Sequence, residues 1–258
     1  MYGDRAFRRA TGVLRHYPQF LVIGGIRCGT TSLIKYLGQH PDVGVSSTKE
    51  PHFFDWNYPR GDNWYRSFFP LRIANKQMIV GESSPAYLMD AAAPARAAAA
   101  MPDAQLLLLV RNPVERAHSH YRYRRQRGHE EAETFEEALE VEDERMERAA
   151  AFGRAQWVLN GYFHHGLYAT GLSRWREHFD PAQILVISSE DFYTDTPTVF
   201  ARVLGFLGLT NYELSNYAVH NAAGKSAMNP ETRAELAGRY REPNERLYEL
   251  IGRDLEWA

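Results

Sequence analysis

The sequence contains a single cysteine, Cys28, among its 258 residues. One cysteine excludes a disulfide within the chain, which fits a reducing compartment. No run approaches the roughly 20 apolar residues that a membrane-spanning helix needs. The chain also does not open on the basic and then apolar segment of a signal peptide. From these absences we expect a cytoplasmic protein without a membrane span.

An excess of positive charge is missing as well, because 30 Lys and Arg stand against 32 Asp and Glu, a net charge of −2. This balance argues against a general nucleic-acid-binding protein, although it allows a local basic site. No linker rich in Gly, Pro or Ser divides the chain, and no repeat is visible. We therefore predict one domain over residues 1–258, with the arginine-rich residues 1–17 as a peripheral helix or arm. The oligomeric state stays open.

Short apolar segments alternate with helical patterns along the chain. Buried strands are predicted at 20–24, 77–82, 104–113 and 183–191. Helices are predicted at 30–41, 86–100, 113–127, 134–150, 168–179 and 197–207. This alternation predicts a three-layer α/β fold with a central, mostly parallel sheet flanked by helices. In such sheets ligands bind beyond the carboxyl ends of the strands.

Two helical segments need no functional role. The charge-dense stretch 125–150 is typical of a solvated helix with Glu–Arg pairs three or four residues apart. The alanine tract 91–100 predicts a plain helix interrupted by Pro94. Neither segment contributes to the predicted site.

The stretch FLVIGGIRCGTTSL, residues 20–33, joins an apolar strand, a glycine-rich turn and polar residues suited to a helix start. Backbone N–H groups and the helix dipole bind anions at such a turn. The Gly-Lys-Ser/Thr sequence of ATP and GTP loops is missing, and no strand ends in the aspartate that would hold magnesium. The anion is therefore not expected to be a magnesium triphosphate, which argues against a P-loop kinase.

A second anion-binding element is predicted in LLLLVRNPVERAHSHY, residues 106–121. Arg111 follows a strand, Pro113 favours the first turn of a helix, and Ser119 lies about two turns into it. An arginine and a hydroxyl can grip one phosphate from two sides. The alternative for Arg111 is an ion pair at the strand end. Two such sites at adjacent strand ends suggest one ligand with two separated anionic groups.

Several motifs together resemble one enzyme family. The segments GGIRCGTTSL, KEPHFFDW, GESSPAYL and LVRNPVERAHSHY follow one another as they do in sulfotransferases, P-loop-like enzymes that use 3′-phosphoadenosine 5′-phosphosulfate (PAPS). The resemblance covers about residues 18–257 and is closest to the bacterial carbohydrate-type branch and the heparan sulfate glucosaminyl sulfotransferases. It implies direct in-line transfer of a sulfuryl group to an acceptor hydroxyl or amine, release of 3′-phosphoadenosine 5′-phosphate (PAP), and no required metal.

The resemblance also implies where the nucleotide binds. The 5′-phosphosulfate would be held by the first loop, through Arg27, Cys28, Gly29, Thr30, Thr31 and Ser32. Arg27 stands where the family usually has a lysine beside the leaving oxygen; it keeps the positive charge but cannot give up a proton. Arg111 and Ser119 match the family's pair for the 3′-phosphate. A third cofactor loop is expected at Gly224, Lys225 and Ser226, with a solvated surface turn as the alternative. For Cys28 we expect packing rather than redox chemistry.

On the acceptor side, STKEPHFFDWNY (47–58) places three ionisable residues among aromatic ones. The resemblance implies that Glu50 is the general base, that His52 is a positioner or an alternative base, and that Asp55 supports them. Packing in the core is the favoured role of the neighbouring aromatic residues, although Trp56 is a candidate acceptor contact. Sulfuryl transfer to an alcohol needs such a base for the hydroxyl proton.

The motif GESSPAYL (81–88) adds Ser83, Ser84 and Tyr87 as candidate acceptor contacts. Ser83 stands where heparan-type enzymes commonly have a lysine, which weakens the case for a highly sulfated or uronic-acid acceptor. A carbohydrate hydroxyl is the first expectation. The alternatives are a lipid, a polyketide-type natural product, or a descendant that binds PAPS or PAP without turnover.

Overall fold

A computed structural model describes residues 2–72, 78–152, 161–218 and 227–257, and its centre is a parallel sheet. The strands are β1 (Phe20–Gly24), β2 (Val43–Val45), β3 (Ile79–Ser83), β4 (Gln105–Val110) and β5 (Ile184–Ser188). Their order across the sheet is β2-β3-β1-β4-β5, and each neighbouring pair is parallel. The segments that follow β3, β1 and β4 therefore meet at one edge of the sheet.

Helices flank this sheet. The α-helices are α1 (Tyr2–Ala10), α2 (Thr30–Leu37), α3 (Asp62–Arg66), α4 (Ala93–Ala100), α5 (Pro113–Gln126), α6 (Phe135–Glu140), α7 (Glu142–Phe152), α8 (Tyr168–Arg176), α9 (Ser189–Thr194), α10 (Thr196–Phe206) and α11 (Pro230–Ile251). Short 3₁₀ helices lie at Gly12–Leu14, Tyr58–Arg60, Pro85–Leu88, His164–Gly166 and Pro181–Gln183. Across the described ranges, no helix is both long and apolar enough to cross a membrane.

The central strands explain why the sequence reads as continuous apolar runs. All five residues of β1 are buried, as are residues 106–110 of β4. A strand covered on both faces has no polar face to alternate with, which is typical of a parallel sheet between two helical layers. The predicted three-layer α/β fold is confirmed.

Other predicted boundaries differ from the structure. Strand β2 was not predicted, because three residues are too short to show a pattern. The predicted helix 86–100 is a 3₁₀ turn followed by α4, and Pro94 lies in the first turn of α4, where proline is tolerated, rather than interrupting it. The predicted helix 134–150 divides at Val141 into α6 and α7. Just after this break, the buried Glu142 carboxylate accepts hydrogen bonds from two backbone N–H groups at residues 163 and 164.

The N-terminal residues form a helix that is attached to the rest of the chain. Arg8 donates from Nε to the carbonyl of Ser67 (2.6 Å), and Arg15 donates to the carbonyl of Phe69 (2.9 Å). Both carbonyls lie just after α3. Within residues 1–17, α1 covers Tyr2–Ala10 and a 3₁₀ helix covers Gly12–Leu14.

Candidate active site

The first predicted anion site is a strand, a turn and a helix start. The turn that follows β1 is tied to β4 by a hydrogen bond from the Gly25 N–H to the carbonyl of Leu109 (2.5 Å). Gly29 precedes α2 with φ of 97°, a conformation that favours glycine. A Cβ atom at Gly29 would also lie only 2.7 Å from the Tyr193 hydroxyl. The turn between β1 and α2 is therefore packed closely against β4 and Tyr193.

The hydroxyl groups of this loop are not equivalent. Thr31 is half-buried, Thr30 is nearly buried, and Ser32 is fully buried with its side chain hydrogen-bonded to Tyr36. The prediction that the Ser32 hydroxyl faces a ligand is therefore corrected, because that side chain points into the helix packing. Cys28 is also fully buried; burial raises the pKa of its thiol, in agreement with a packing role.

Arg27 lies next to the second predicted anion site. Its Nε is 3.4 Å from Ser119 Oγ, and its guanidinium lies 4.4 Å from the centre of the Tyr123 ring. Arg111 donates from Nη1 to the carbonyl of Arg27 at 3.5 Å. Burial lowers the pKa of Arg27, and the charge of Arg111 lowers it further. The structure thus brings Arg27, Arg111 and Ser119 into one group.

The backbone of Arg111 is held by residues that sequence reasoning missed. The Tyr168 hydroxyl donates to the Arg111 carbonyl (2.9 Å) and accepts from its N–H (3.3 Å). Glu190 accepts from the N–H of Asn112 (2.9 Å). Ser189 donates to the carbonyl of Cys28 at 2.6 Å, so one segment after β5 fixes both loops. The sequence signal for the Ser189 and Glu190 contacts was the run of polar residues that follows β5.

The side chain of Asn112 also caps α5, accepting hydrogen bonds from the next two N–H groups, those of residues 114 and 115. This cap places Ser119 on the helix face that meets Arg27. In the part of the chain that the structure describes, no carboxylate forms an ion pair with the Arg111 guanidinium. A cation held in this way is suited to an anionic ligand.

On the acceptor side, His52 lies between two carboxylates. Its Nδ1 is 2.8 Å from Asp55 Oδ2, and its Nε2 is 3.6 Å from Glu50 Oε2. The Trp56 ring stacks on the imidazole, with centroids 3.9 Å apart. Lys49 Nζ lies 3.3 Å from the other oxygen of Glu50. The structure therefore brings together the residues predicted as base, positioner and support.

The pKa values within this group diverge. Burial opposes the charge of His52, but the hydrogen bonds to Asp55 and Glu50 outweigh it and raise the pKa of His52 to about 9. Burial likewise opposes the charge of Glu50, yet the hydrogen bond with His52 and the charge of Lys49 leave the pKa of Glu50 lowered. At neutral pH the arrangement is a protonated imidazole held between the ionised carboxylate of Glu50 and the side chain of Asp55.

The backbone here adopts an uncommon conformation. Arg27 (φ 67°), Glu50 (φ 50°) and His52 (φ 50°) are three of the four non-glycine residues with positive φ in the described ranges. Such conformations are disfavoured for residues with a Cβ atom, and they cluster at functional sites. All three residues were predicted from the sequence to be catalytic.

Two predicted acceptor contacts are corrected. Ser84 and Tyr87 are fully buried, and their hydroxyls accept from loop N–H groups: Ser84 from His52 (3.1 Å), and Tyr87 from Phe53 (2.7 Å) and Phe54 (3.3 Å). They support the loop from behind rather than facing a cleft. Ser83 is 8% exposed at the end of β3.

The remaining predictions concern the third loop and metals. Gly224, Lys225 and Ser226 lie outside the described residues. Within the ranges described, no cluster of three or more His, Cys, Asp or Glu side chains is arranged to hold a metal ion. His164, which is followed directly by His165, is hydrogen-bonded through Nδ1 to Glu142 at 2.7 Å.

Known proteins are similar to this chain in sequence and in fold. The chain is 32% identical over 271 aligned positions to human heparan sulfate glucosamine 3-O-sulfotransferase 6, covering 95% of this chain and 75% of that protein. It superposes on a crystal structure of a sulfotransferase from Alicyclobacillus acidocaldarius with a TM-score of 0.78 and 31% identity, over 93% of this chain and 98% of the other. Mouse SULT7A1 complexed with PAP shares the fold, with a TM-score of 0.50 and 16% identity, over 90% and 67% of the two chains.

The match extends to the family level. The sequence model of the sulfotransferase domain family matches residues 17–233. This range contains the two predicted anion sites and the Glu50–His52–Asp55 group. The family model, the fold and the sequence similarity over nearly the whole chain agree with one another. The chain therefore belongs to the sulfotransferase family.

Proposed function

We propose that this sulfotransferase moves a sulfuryl group from PAPS to a hydroxyl, or an amine, of a carbohydrate acceptor. The observation that carries the proposal is that Glu50, His52 and Asp55 form one group tied to Ser84 after β3, while Arg27 and Arg111 meet after the next two strands of the sheet, β1 and β4. One half of this arrangement suits proton removal, and the other suits an anionic nucleotide.

The chain's residues fit the nucleotide. Arg111 and Ser119 would hold the 3′-phosphate, and the N–H groups at the start of α2, with Thr30 and Thr31, would hold the 5′ side. PAPS supplies the sulfuryl group when bound and leaves as PAP, the ligand of the structurally similar mouse enzyme. The proposed fit of PAPS rests on the neighbouring guanidinium groups of Arg27 and Arg111, because a dianionic phosphate would compensate their positive charges.

Between the two candidate bases, the charges favour Glu50. A base must be unprotonated, and the pKa of His52, about 9, keeps its imidazole protonated at neutral pH. The lowered pKa of Glu50 keeps its carboxylate ionised over the same range. We assign Glu50 to accept the proton of the acceptor hydroxyl, with His52 holding that carboxylate in place.

Arg27 is assigned to the departing nucleotide. Its guanidinium contacts Ser119, so its charge lies between the elements proposed for the two ends of the nucleotide. A fixed positive charge in a partly buried position stabilises negative charge that develops during the reaction. Arginine can supply this charge, although it cannot supply a proton.

The acceptor class follows from the relatives. The human relative is named for transfer to the 3-O position of heparan sulfate glucosamine, which supports a glucosaminyl hydroxyl as the first acceptor to test. Ser83, where a lysine is common in heparan-type enzymes, favours an acceptor of lower negative charge. A neutral or lightly sulfated glucosamine-containing oligosaccharide meets both conditions.

A ligand-binding experiment tests the nucleotide assignment. Saturating PAP should raise the thermal midpoint, because a ligand of the native state at 100 times its Kd adds about 2.7 kcal/mol of stability. Magnesium ATP should stabilise the protein less, and a larger effect of magnesium ATP would overturn the assignment. Labelled sulfate from PAPS should then appear on glucosaminyl oligosaccharides. Label on hydroxylated lipids or polyketide-type alcohols instead would correct the acceptor, and tight PAP binding with no transfer would indicate a binding protein.

A further inference from the structure

A fully buried carboxylate lies behind the proposed base. Glu82, at the end of β3, has no exposed surface, and in the ranges described no Lys or Arg forms an ion pair with it. Its partners are hydroxyls: Tyr65 donates to Oε1 at 3.1 Å, Ser84 donates to Oε2 at 2.9 Å, and Tyr87 is also hydrogen-bonded to it. Burying a carboxylate whose hydrogen-bond partners are hydroxyls costs folding free energy, which suggests that Glu82 has a functional role.

Two of these hydroxyls, those of Ser84 and Tyr87, also form hydrogen bonds with the active-site loop. The oxygen of Ser84 accepts from the N–H of His52, and the oxygen of Tyr87 accepts from the N–H groups of Phe53 and Phe54. Three consecutive backbone N–H groups are thus held by two hydroxyls, of which Ser84 donates its proton to Glu82 and Tyr87 interacts with both Glu82 and Ser84. This support lies where the chain has φ of 50° at Glu50 and at His52.

Counting protons shows what the ionised carboxylate does. A hydroxyl has one proton to donate and lone pairs to accept with, so while the Ser84 proton points to Glu82 the Ser84 oxygen can accept from the N–H of His52. A protonated Glu82 would add a donor to the same space. If that proton lies on Oε2, Ser84 has to accept it and can no longer direct its own proton to Glu82, which leaves that proton near the N–H of His52, also a donor. An amide side chain at position 82 creates the same conflict when its nitrogen takes the place of Oε2.

We propose that Glu82 is a positioning residue of the active site, whose carboxylate orients the hydroxyls of Ser84 and Tyr87 so that they hold residues 52–54 and, through them, the Glu50–His52 pair. This inference rests on the proposed function of that pair. Glu82 itself does not touch a reacting atom in this account. Its effect passes through the backbone of the loop.

The ionisation of Glu82 falls in an accessible pH range. Burial raises the pKa of Glu82 to about 7, against the opposing hydrogen bonds of the three hydroxyls and the charge of His52. The titratable or charged groups around it are Tyr65 from α3, with Tyr17 packed against that ring; Tyr87 from the 3₁₀ helix; and His52, Asp55 and Glu50 from the loop. Because the pKa of Glu50 is lowered, an acid limb of activity near pH 7 belongs to Glu82.

Backbone hydrogen exchange tests the proposal without depending on turnover. In Glu82→Gln, the amides of residues 52–54 should exchange about tenfold faster than in wild type at pH 8, since their acceptors become disordered. Tyr65→Phe is the matched variant, because it removes one donor to Glu82, keeps the ring that stacks on Phe53, and leaves the loop acceptors intact. Its exchange rates at residues 52–54 should equal wild type at pH 8.

The pH profile of sulfate transfer separates positioning from simple folding. Wild type should lose activity as the pH falls through about 7. Tyr65→Phe should move that limb to higher pH with an unchanged plateau, since it removes a hydrogen bond that lowers the pKa of Glu82. Glu82→Gln should have reduced turnover and no acid limb near 7. If Glu82→Gln has both the amide exchange rates and the pH profile of wild type, the proposal is overturned. If Glu82→Gln fails to fold, an acid limb in Tyr65→Phe at its wild-type pH overturns it instead.

Stability gives a further, independent readout. The raised pKa of Glu82 means that the native state binds its proton more tightly, so this group's contribution to the free energy of unfolding falls as pH rises from about 4.5 to about 7. Glu82→Gln should lack this dependence. PAP stabilisation should be equal in all three proteins. If wild type neither binds PAP nor transfers sulfate, the proposed function is contradicted. The hydrogen exchange rates of the amides at residues 52–54 in Glu82→Gln test the role of Glu82 in either case.

Discussion

His52 and Asp55 are joined by a hydrogen bond of 2.8 Å between the imidazole Nδ1 and a carboxylate oxygen. The other oxygen of Asp55 accepts from the N–H of Trp56 at 2.6 Å, and the Asp55 side chain is only 1% exposed. The carboxylate is therefore fixed, and it turns the second ring nitrogen toward Glu50. This relationship accounts for both the orientation and the charge of His52.

Asp55→Asn should lower the pKa of His52, because the amide retains a hydrogen-bonding oxygen but loses the negative charge. The alkaline limb of kcat/KM, expected near the pKa of about 9 in wild type, should move to lower pH. Turnover should fall about a hundredfold through misplacement of the Glu50 carboxylate. The pH profile of sulfate transfer measures both effects, and an alkaline limb at its wild-type position would contradict this role of Asp55.

The same ionisation should be visible in stability. A raised pKa in the native state means that the contribution of His52 is fully present below about 6.5 and is lost as the pH rises through about 9. Denaturant unfolding from pH 6 to pH 10 should show this loss in wild type but not in His52→Gln. Parallel curves for the two proteins would show that His52 is not held as a cation.

The fold was largely predictable, because the four longer strands are apolar runs that only a two-sided sheet can bury. The motifs also predicted a group of Glu50, His52 and Asp55 and a pair of Arg111 and Ser119, and the structure brings the members of each close together, because each motif is local in sequence. The support behind them was not. Tyr168 reaches Arg111 across 57 positions, and Tyr65 reaches Glu82 across 17. Such contacts depend on how helices pack over the sheet, which no local pattern records.

Burial was the other quantity that the motifs could not supply. Ser32, Ser84 and Tyr87 stand in the expected segments, but their side chains are fully buried. A hydroxyl in a motif indicates a donor and acceptor without indicating which neighbour it serves. In these three residues, the neighbour is the protein itself.

Arg111→Ala should weaken PAP binding while leaving the fold intact. Loss of a charged hydrogen-bonding group costs about 1.5–3 kcal/mol, so the Kd should rise roughly ten- to a hundredfold. Arg246→Ala, at an exposed position on α11, removes the same charge elsewhere and is the control. Equal Kd values for the two variants in calorimetry would show that the 3′-phosphate is held by other residues.

Arg27 allows a comparison at a single position. Arg27→Lys restores the common residue and keeps the charge, so kcat should stay within about tenfold of wild type, whereas Arg27→Ala should lose roughly a hundred- to a thousandfold. All three side chains carry a Cβ atom at the same positive φ, so the backbone cost is shared. Single-turnover sulfate transfer measures the difference, and equal rates for lysine and alanine would exclude a role for the charge.

The central claim is that the Glu50 carboxylate takes the acceptor proton while other residues bind the nucleotide. It is tested most directly by single-turnover transfer of labelled sulfate from PAPS in Glu50→Gln, with PAP affinity measured on the same sample. The exposed Glu245→Gln on α11 is the matched control. The account predicts a loss of about 10²- to 10⁴-fold in the transfer rate, with PAP affinity unchanged. A transfer rate equal to that of Glu245→Gln would contradict it.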